Sequence, residues 1–246
     1  MKLITKSFNL LIFFLIFVTS INSFGNLPNF SKIKDIKQKK EQFFNYLSPI
    51  ISKVNNNIIE KREKIKKLFK TNELSKENKA WLKNIAEEFN IKDWNGSSKL
   101  KQKELLKRVD IVPSPLVLAQ AANESAWGTS RFARHGNNIF GQWCFTKGCG
   151  MIPKERPNGR TYAVRKFASI KDSIKAYIYN LNTNHHYKYF RELRADLRAK
   201  NKPLNSIYLT QGLTNYSTRK GAYVSEIKQM IASNGLERKY NFRKYQ

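Results

Sequence analysis

The segment from Ser114 to Gly128 constrains the fold more than any other part of this chain. Ser114 and Pro115 form a helix start signal, with the serine as N-cap and the proline at the first helical position. The residues from Leu116 to Ala122 are apolar or small on every face except at Gln120. A helix that is apolar all round is usually a buried helix, so this segment predicts the centre of a hydrophobic core.

An acidic residue, Glu124, stands near the end of this apolar helix. Burial of a carboxylate is costly unless the group is paired or faces a cleft. In a cleft, partial burial would raise the pKa of Glu124, so that it could deliver a proton near neutral pH. The alternative is a structural glutamate paired with an arginine or a backbone amide. Trp127, one helical turn further, would share a face with Glu124 and either line the cleft or pack in the core.

The net charge leaves several classes of partner open. The 246 residues include 46 Lys and Arg against 18 Asp and Glu, a formal net charge of +28. Such a basic surface suits nucleic acid or another polyanion, including an anionic polymer of the cell envelope. The joint abundance of Lys, Asn and Ile is also typical of A+T-rich genomes, so the charge by itself does not identify a ligand.

The N-terminus has the pattern of a secretory signal peptide, predicted at residues 1–23. A basic start precedes an apolar run from Phe8 to Val18, and small residues follow at Thr19, Ser20 and Ser23. The alternative is an uncleaved membrane anchor, although a full span needs about 20 apolar residues. Either interpretation predicts export to the periplasm or cell envelope and argues against nucleic acid as the partner.

Two closely spaced cysteines, Cys144 and Cys149, predict a disulfide in an oxidising compartment. A metal site would need more ligands than these cysteines and the nearby His135 supply. We therefore expect neither a metal nor a cofactor.

The rest of the chain divides into a Lys-rich helical N-terminal arm at 24–74, a main domain at 75–236 and a polar, frayed tail at 237–246. In the arm, apolar residues recur at helical spacing, and Ser48-Pro49 predicts a break between two helices. The apolar stripe would pack against the main domain or, being amphipathic and basic, lie on an anionic envelope surface.

Helical patterns dominate the main domain, so we predict a mainly α (α+β) fold. Residues 133–150 are rich in Gly and Asn and predict a loop. The one β signal is a hairpin over 151–167 with Asn158-Gly159 in its turn. Besides the buried helix, helices are predicted at 75–89, 97–108, 169–182, 187–198, 203–211 and 218–233.

Two motifs resemble the glucosaminidase family of peptidoglycan hydrolases, glycoside hydrolase family 73. The first is Ala119–Gly128, with Glu124-Ser125 followed by Trp127-Gly128, and the second is Asn138–Gly141. The pair at this spacing is fairly specific, whereas either motif alone would be weak. The similarity extends over roughly residues 40–235 and is closest to the Bax-type branch, on Phe43-Phe44, Leu47-Ser48-Pro49, Gly141 to Phe145, Cys149-Gly150, Tyr216-Ser217 and Tyr223.

The resemblance implies a lysozyme-like helical domain in which a small β-hairpin flanks a glycan cleft. It implies hydrolysis of the β-1,4 bond after N-acetylglucosamine in peptidoglycan, with Glu124 as the general acid. The family places a second acid in the hairpin strand before its turn, and Glu155 is the matching residue. Arg156-Pro157 departs from the family pattern, and the substrate's own 2-acetamido group is the alternative source of assistance.

Five residues are candidates for contact with peptidoglycan glycan strands, the expected partner. Tyr216 and Tyr223 match tyrosines that line the family's cleft, and Trp127, Asn138 and Phe140 complete the set. The alternatives are ring packing for the aromatic residues and backbone capping or bridging for Asn138, which is what asparagine commonly does in loops.

Two other functions remain open at this point. A lytic transglycosylase or muramidase on the same fold also uses one Glu followed by Ser, but it usually shows a downstream Gly-Leu-Met-Gln-like segment that this sequence lacks. A non-catalytic cell-wall-binding protein would need only the basic charge, whose attraction for polyanions is weakened by salt.

Overall fold

The structure, a computed structural model, describes residues 27–241 and confirms the mainly α (α+β) class. The predicted signal peptide, with its alternative as an anchor, lies outside the described residues. In the described part the helices are α1 (Ile36–Leu68), α2 (Lys76–Glu88), α3 (Lys99–Arg108), α4 (Ser114–Ser125), α5 (Arg131–Gly136), α6 (Ile170–Thr183), α7 (Lys188–Ala199), α8 (Ser206–Leu209), α9 (Gly221–Ser233) and α10 (Leu236–Tyr240), and the strands are β1 (Trp143–Cys144), β2 (Gly150–Met151) and β3 (Ala163–Arg165).

One continuous helix, α1, replaces the two helices predicted in the N-terminal arm. Pro49 lies inside this helix, so the predicted break at Ser48-Pro49 is wrong. A proline in a helix interior costs about 3 kcal/mol or more, but Leu47, Ile50 and Ile51 beside it are fully buried. Burial of each such side chain stabilises the fold by about 1.5–3 kcal/mol, which outweighs the cost of the proline.

The N-terminal arm shares its hydrophobic core with the main domain. The first half of α1 places Phe43, Phe44 and Val54 in the cluster that also holds α4, α6 and α9. Its second half packs Ile65 and Leu68 against α2 and α3. The apolar stripe is therefore covered by protein, the first of the two predicted alternatives. Within residues 27–241 no helix is long and apolar enough to cross a membrane.

The helix that carries Glu124, α4, lies in the centre of the core. Every residue from Ser114 to Ala122 is buried, as its apolar faces predict. The helix begins one position earlier than predicted, with Pro113 at the N-cap. It ends at Ser125, because the next two residues adopt left-handed backbone conformations, with φ of 49° and 58°.

Gly128 continues this left-handed exit with φ of 75°. A Cβ at this position would lie 2.8 Å from the Phe30 ring and 3.0 Å from the Leu27 side chain. Glycine is therefore required by both the backbone conformation and the close approach. Phe30 and Leu27 are buried in the main core, so the chain at 27–30 is packed against the exit of α4.

The small sheet has three antiparallel strands in the order β1-β3-β2. Pairing of Met151 with Val164 confirms a β connection between the two segments of the predicted hairpin. The turn predicted at Asn158-Gly159 is present, with the Arg160 amide donating to the Pro157 carbonyl at 3.3 Å, but it lies within a long loop between β2 and β3 instead of joining the strands directly. The third strand, β1, and most of the helix α5 fall in the predicted loop, because elements this short give no periodic signal.

The C-terminal tail is ordered further than predicted. Residues Leu236–Tyr240 form α10, so the expectation of a frayed tail from residue 237 is wrong up to Tyr240. The Tyr240 hydroxyl donates a hydrogen bond to Asn45 Oδ1 at 2.8 Å, and its ring lies 6.0 Å from that of Phe44. Residues 242–246 lie outside the described part.

A buried ion cluster holds the chain just before α4. Asp110 is 2% exposed and accepts two hydrogen bonds from Arg198, at 3.0 and 3.2 Å. Arg62 and Arg194 approach the same carboxylate at 3.6 and 3.8 Å. Burial raises the pKa of the Asp110 carboxyl, but the three guanidinium groups outweigh burial and hold its pKa below the ordinary value.

Backbone carbonyls of residues 107–112, between α3 and α4, also accept hydrogen bonds from buried side chains. Arg194 donates to the carbonyls of Lys107 and Ile111, both at 2.7 Å. Asn182 and Asn55 donate to two further carbonyls of the segment at 2.8 and 2.9 Å. Side chains from α1, α6 and α7 therefore fix the path between α3 and α4.

We expect Asp110→Asn to lower the free energy of unfolding by about 3–5 kcal/mol, because buried guanidinium groups lose their counter-charge. Since the folded-state pKa of Asp110 is lowered, its ionised form stabilises the protein at pH values above the unfolded pKa of about 3.9. The loss should therefore be complete at neutral pH and shrink as the pH falls below that value. Urea denaturation followed by circular dichroism measures both effects.

Asp196→Asn is the matched control, because Asp196 pairs with Lys200 on the exposed surface of α7. Exposed pairs contribute little to stability, so this variant should unfold almost as the unmodified protein does. Equal losses in the two variants would contradict the role given to Asp110.

Candidate active site

The C-terminal end of α4 opens into a cleft of about 440 Å³. This volume lies in the range of ordinary ligand-binding clefts. Its walls come from α4, the loop leading into β1, β3, α6 and the chain on either side of α7. The cleft is lined by Glu124, Phe140, Gly141, Gln142, Trp143, Arg165, Phe167, Ala176, Tyr179, Asn180, Tyr187 and Tyr216.

Glu124 lies half-buried at the wall of this cleft. Tyr223 donates its hydroxyl to Glu124 Oε1 at 2.8 Å, and the Asn123 amide lies 3.5 Å from the same oxygen. No described residue forms a hydrogen bond with Oε2 or an ion pair with this carboxyl. Burial raises the pKa of Glu124 above its ordinary value, and the Tyr223 bond, the Asn123 amide and the Arg219 charge offset this only in part. Glu124 therefore occupies a cleft rather than a buried ion pair.

A chain of hydrogen bonds behind Glu124 sets the direction of the Tyr223 hydroxyl. Gln120 donates its amide to the Tyr223 oxygen at 2.7 Å, and Tyr177 donates its hydroxyl to Gln120 Oε1. Because the amide nitrogen only donates, the Tyr223 hydrogen is directed to Glu124. Burial raises the pKa of both tyrosines, so they remain protonated donors.

Stacked rings form the floor of the cleft next to this chain. Tyr216 lies parallel to Tyr223 with ring centroids 5.4 Å apart, and its hydroxyl donates to the Phe140 carbonyl at 3.4 Å. Phe140 stacks on Tyr177 at 3.9 Å. Two of the predicted cleft residues, Phe140 and Tyr216, line the cleft, whereas Tyr223 lies behind Tyr216 and reaches the site through its hydroxyl.

Asn138 organises the loop that leads into β1. Its amide nitrogen donates to the carbonyls of Gln142 and Arg165, both at 2.9 Å. Its oxygen accepts from the backbone amides of Phe140 and Gln142 at 3.3 and 3.0 Å. Asn138 is buried and does not line the cleft, so it bridges backbone, which was the alternative to direct ligand contact.

Trp127 lies outside the cleft. Because α4 ends before this residue, Trp127 does not continue the helical face of Glu124, and that expectation is wrong. Its ring packs edge-on against Phe43 and Phe44, with centroids 5.8 and 5.2 Å apart. The structure therefore places Trp127 at the edge of the core, against α1.

Glu155 lies in the loop between β2 and β3, in a turn where the Arg156 amide donates to the Pro153 carbonyl at 3.2 Å. Its side chain is exposed and does not line the cleft. Among the described residues that do line it, Glu124 is the only carboxylate. A catalytic role for Glu155 stays a prediction.

A disulfide joins Cys144 to Cys149 beside the cleft. It closes the loop between β1 and β2 and follows directly on Trp143, a cleft residue that is 51% exposed. The Trp143 ring meets Tyr162 edge-on at 4.8 Å. The described part of the chain holds no group of three or more His, Cys, Asp or Glu side chains that could bind a metal ion.

Several residues of the site do not stand out in the sequence. Gln120 gives the one usable signal, because a polar residue within an otherwise apolar helix needs a buried hydrogen-bonding partner. Tyr177 falls on the apolar stripe of α6 and looks like an ordinary core residue. Tyr179 and Tyr187 line the cleft, but their local sequence does not distinguish them from other surface or core tyrosines.

Tyr223→Phe removes the hydroxyl that lowers the pKa of Glu124 and keeps the buried ring. We expect the pKa of Glu124 to rise further in this variant, because the hydrogen bond that partly offsets the effect of burial on this pKa is lost. Carbon-13 NMR titration of the glutamate carboxyls, with Glu124 assigned by its loss in Glu124→Gln, measures the shift. Tyr189→Phe at an exposed position is the control. A Glu124 pKa that stays constant in Tyr223→Phe would show that the hydroxyl does not act on it.

Comparisons with known proteins identify a family and a relative of this chain. The sequence model of the glucosaminidase family, described as mannosyl-glycoprotein endo-beta-N-acetylglucosaminidase, matches residues 100–236. Protein bax of Escherichia coli strain K12 is 33% identical over 211 residues, which cover 85% of this chain and 75% of that protein. No solved structure gives a significant match. The matched region includes α4 and all the described residues that line the cleft, and the chain belongs to the glucosaminidase family.

Proposed function

We propose that this chain is an exported peptidoglycan hydrolase, an endo-β-N-acetylglucosaminidase that cleaves the β-1,4 bond after N-acetylglucosamine. The observation that carries the proposal is the half-buried carboxyl of Glu124, with its raised pKa, at the wall of an open cleft. Membership of the glucosaminidase family supports glycosidase chemistry.

Glu124 is the general acid of this mechanism. Its protonated carboxyl gives a proton to the oxygen of the leaving sugar while the bond between that oxygen and the anomeric carbon breaks. Tyr223 holds Oε1, which leaves Oε2 to carry the proton toward the substrate. The raised pKa keeps part of the Glu124 population protonated closer to neutral pH, where a general acid is most effective.

The oxocarbenium-like transition state also needs assistance from the opposite side of the sugar ring. Glu124 is the one carboxylate among the described residues of the cleft, which favours assistance by the substrate's own 2-acetamido group. Glu155 is the alternative base, acting on water, and would have to approach from the exposed loop between β2 and β3.

The lining of the cleft supports a carbohydrate substrate. Trp143, Tyr179, Tyr187 and Tyr216 present aromatic rings at its walls. Such rings combine an apolar face with a polar edge, and this suits the apolar faces and hydroxyl edges of sugar rings. Gln142 and Asn180 add amide groups that donate and accept hydrogen bonds.

Two features support export of the protein to the periplasm or cell envelope, where peptidoglycan lies. The first is the basic and apolar N-terminal pattern of residues 1–23. The second is the disulfide between Cys144 and Cys149, which is typical of oxidising compartments. The net charge of +28 favours additional association with anionic envelope polymers.

We expect Glu124→Gln to reduce hydrolysis of purified peptidoglycan by about 10²–10⁴-fold, the usual contribution of a general acid, and to keep glycan binding. The variant should be at least as stable at neutral pH, because a carboxyl with a raised folded-state pKa loses stability as the pH rises through that pKa. Zymography, pull-down on insoluble peptidoglycan and thermal unfolding measure the three properties.

Glu60→Gln, on the exposed surface of α1, is the matched control and should retain full activity. Glu155→Gln separates the two mechanisms, since it should also retain activity if the 2-acetamido group assists. Mass spectrometry of the products should show reducing N-acetylglucosamine ends, whereas anhydro-muramic ends would identify a lytic transglycosylase instead. Near-normal turnover by Glu124→Gln would remove Glu124 from the role of general acid.

A further inference from the structure

A second cavity, of about 470 Å³, lies beside the cleft of Glu124. Arg165, Phe167, Ala176 and Tyr179 line both cavities. Both cavities are open and adjoin at these side chains, and we describe them as two sections of a single groove. We call the second section the distal groove.

The N-terminal helices build the far side of the distal groove. Asn57, Ile58 and Lys61 come from α1, and Glu88 and Phe89 come from the end of α2. All of these residues precede residue 100, where the match to the family model begins. The groove therefore extends from the matched family region onto a part of the chain that this match does not cover.

Four of the five charged side chains that line the distal groove form ion pairs, and the fifth, Arg165 of the shared wall, lies with its guanidinium 5.0 Å from the centre of the Phe167 ring. Lys61 pairs with Glu88 at 2.5 Å, and Lys175 lies 3.9 Å from Asp172. In a chain with a net charge of +28, a lining with paired charges has little attraction for a polyanion. This pairing favours an uncharged ligand backbone at this place.

Aromatic and amide groups make up the rest of the recognition surface. Tyr179 is 44% exposed in the shared wall and packs at 6.4 Å against Phe89. Asn57 is exposed at the rim. Asn182 lies beneath this surface, fully buried, and its amide donates to the Asp110 carbonyl at 2.8 Å, so it supports the groove without facing it. An aromatic face beside amide donors and acceptors suits a sugar ring with its hydroxyl groups.

We propose that the distal groove binds the continuation of the glycan strand whose bond is cleaved at Glu124. The N-terminal helices thereby supply additional sugar-binding subsites, and the enzyme acts better on long strands than on short ones. This inference rests on the proposed function, because the occupant is the substrate of that site. A cleft of a few hundred Å³ holds a drug-sized ligand. A glycan strand is longer than this cleft, and it would continue past the shared wall into the distal groove.

Asn57→Trp tests the proposal by filling the groove from its exposed rim, at a residue that does not line the cleft of Glu124. Asn57→Ala is the milder companion, which removes the amide without adding bulk. Asn72→Trp is the matched control, because Asn72 is exposed and lines a separate cavity that shares no residue with either section of the groove. The substrates are a peptidoglycan tetrasaccharide and long, soluble, uncrosslinked peptidoglycan strands.

We expect Asn57→Trp to lower kcat/KM on long strands about tenfold, which corresponds to about 1.4 kcal/mol of lost contacts. Its kcat/KM on the tetrasaccharide should be unchanged, and Asn57→Ala should show a smaller loss in the same direction. Asn72→Trp should match the unmodified protein on both substrates. Equal kcat/KM for Asn57→Trp and the unmodified protein on long strands would overturn the proposal, and so would an equal loss on both substrates.

Binding separates failure of this proposal from failure of the proposed function. Calorimetric titration of the same two substrates into Glu124→Gln, with and without Asn57→Trp, measures affinity without turnover. If the unmodified protein hydrolyses neither substrate but Asn57→Trp still weakens binding of long strands alone, the proposed function fails and the distal groove stands. If hydrolysis proceeds and binding of long strands is unaffected by Asn57→Trp, the groove proposal fails and the function stands.

Discussion

The complete burial of α4 is the constraint on which the rest of the structure depends. Its first turns are covered on all sides by the core, and only its last turn meets the open cleft. One helix thus supplies both the dry surroundings that raise the pKa of Glu124 and the opening through which a ligand reaches it. Gln120, four residues earlier, lies on the same helical face. Its amide therefore anchors Tyr223 against Glu124, so that helical geometry also positions the donor.

Asp110 and Glu124 show how different surroundings assign different tasks to a carboxyl group. Asp110 meets three guanidinium groups, which keep it ionised and make it a structural anchor before α4. Glu124, at the other end of the helix, meets one neutral hydroxyl and no ion-pair partner in the described chain. Burial then dominates and favours its protonated form. The two carboxyl groups thus stand at opposite ends of one helix, Asp110 in an ion cluster and Glu124 facing the cleft.

Apolar patterns predicted the helices well, since α2 and α6 carry continuous stripes with N-caps at Ser75 and Ser169, and α4 is apolar all round with Pro115 in its first turn. The motif at Glu124 predicted a carboxyl in a cleft. The helix break predicted at Pro49 was wrong because burial of the neighbouring side chains outweighs the low helix propensity of proline. The prediction that Trp127 shares a helical face with Glu124 failed because α4 ends in a left-handed turn. Alanine and tryptophan, the residues in that turn, do not indicate a left-handed backbone. The Asp110 cluster and the Gln120 chain join residues far apart in sequence, which local patterns do not pair.

The packing of Leu27 and Phe30 against Gly128 bears on how far the N-terminus of the chain can be shortened. If a leader is removed near residue 23, the new chain end lies only a few residues before side chains that fill the interior beside α4. A protease that trimmed past Phe30 would leave a void behind the exit turn of the helix that carries Glu124. Leu27 and Phe30 therefore belong to the packing of this helix exit, and a cut that removed them would uncover Gly128 and the Phe43 ring beside it.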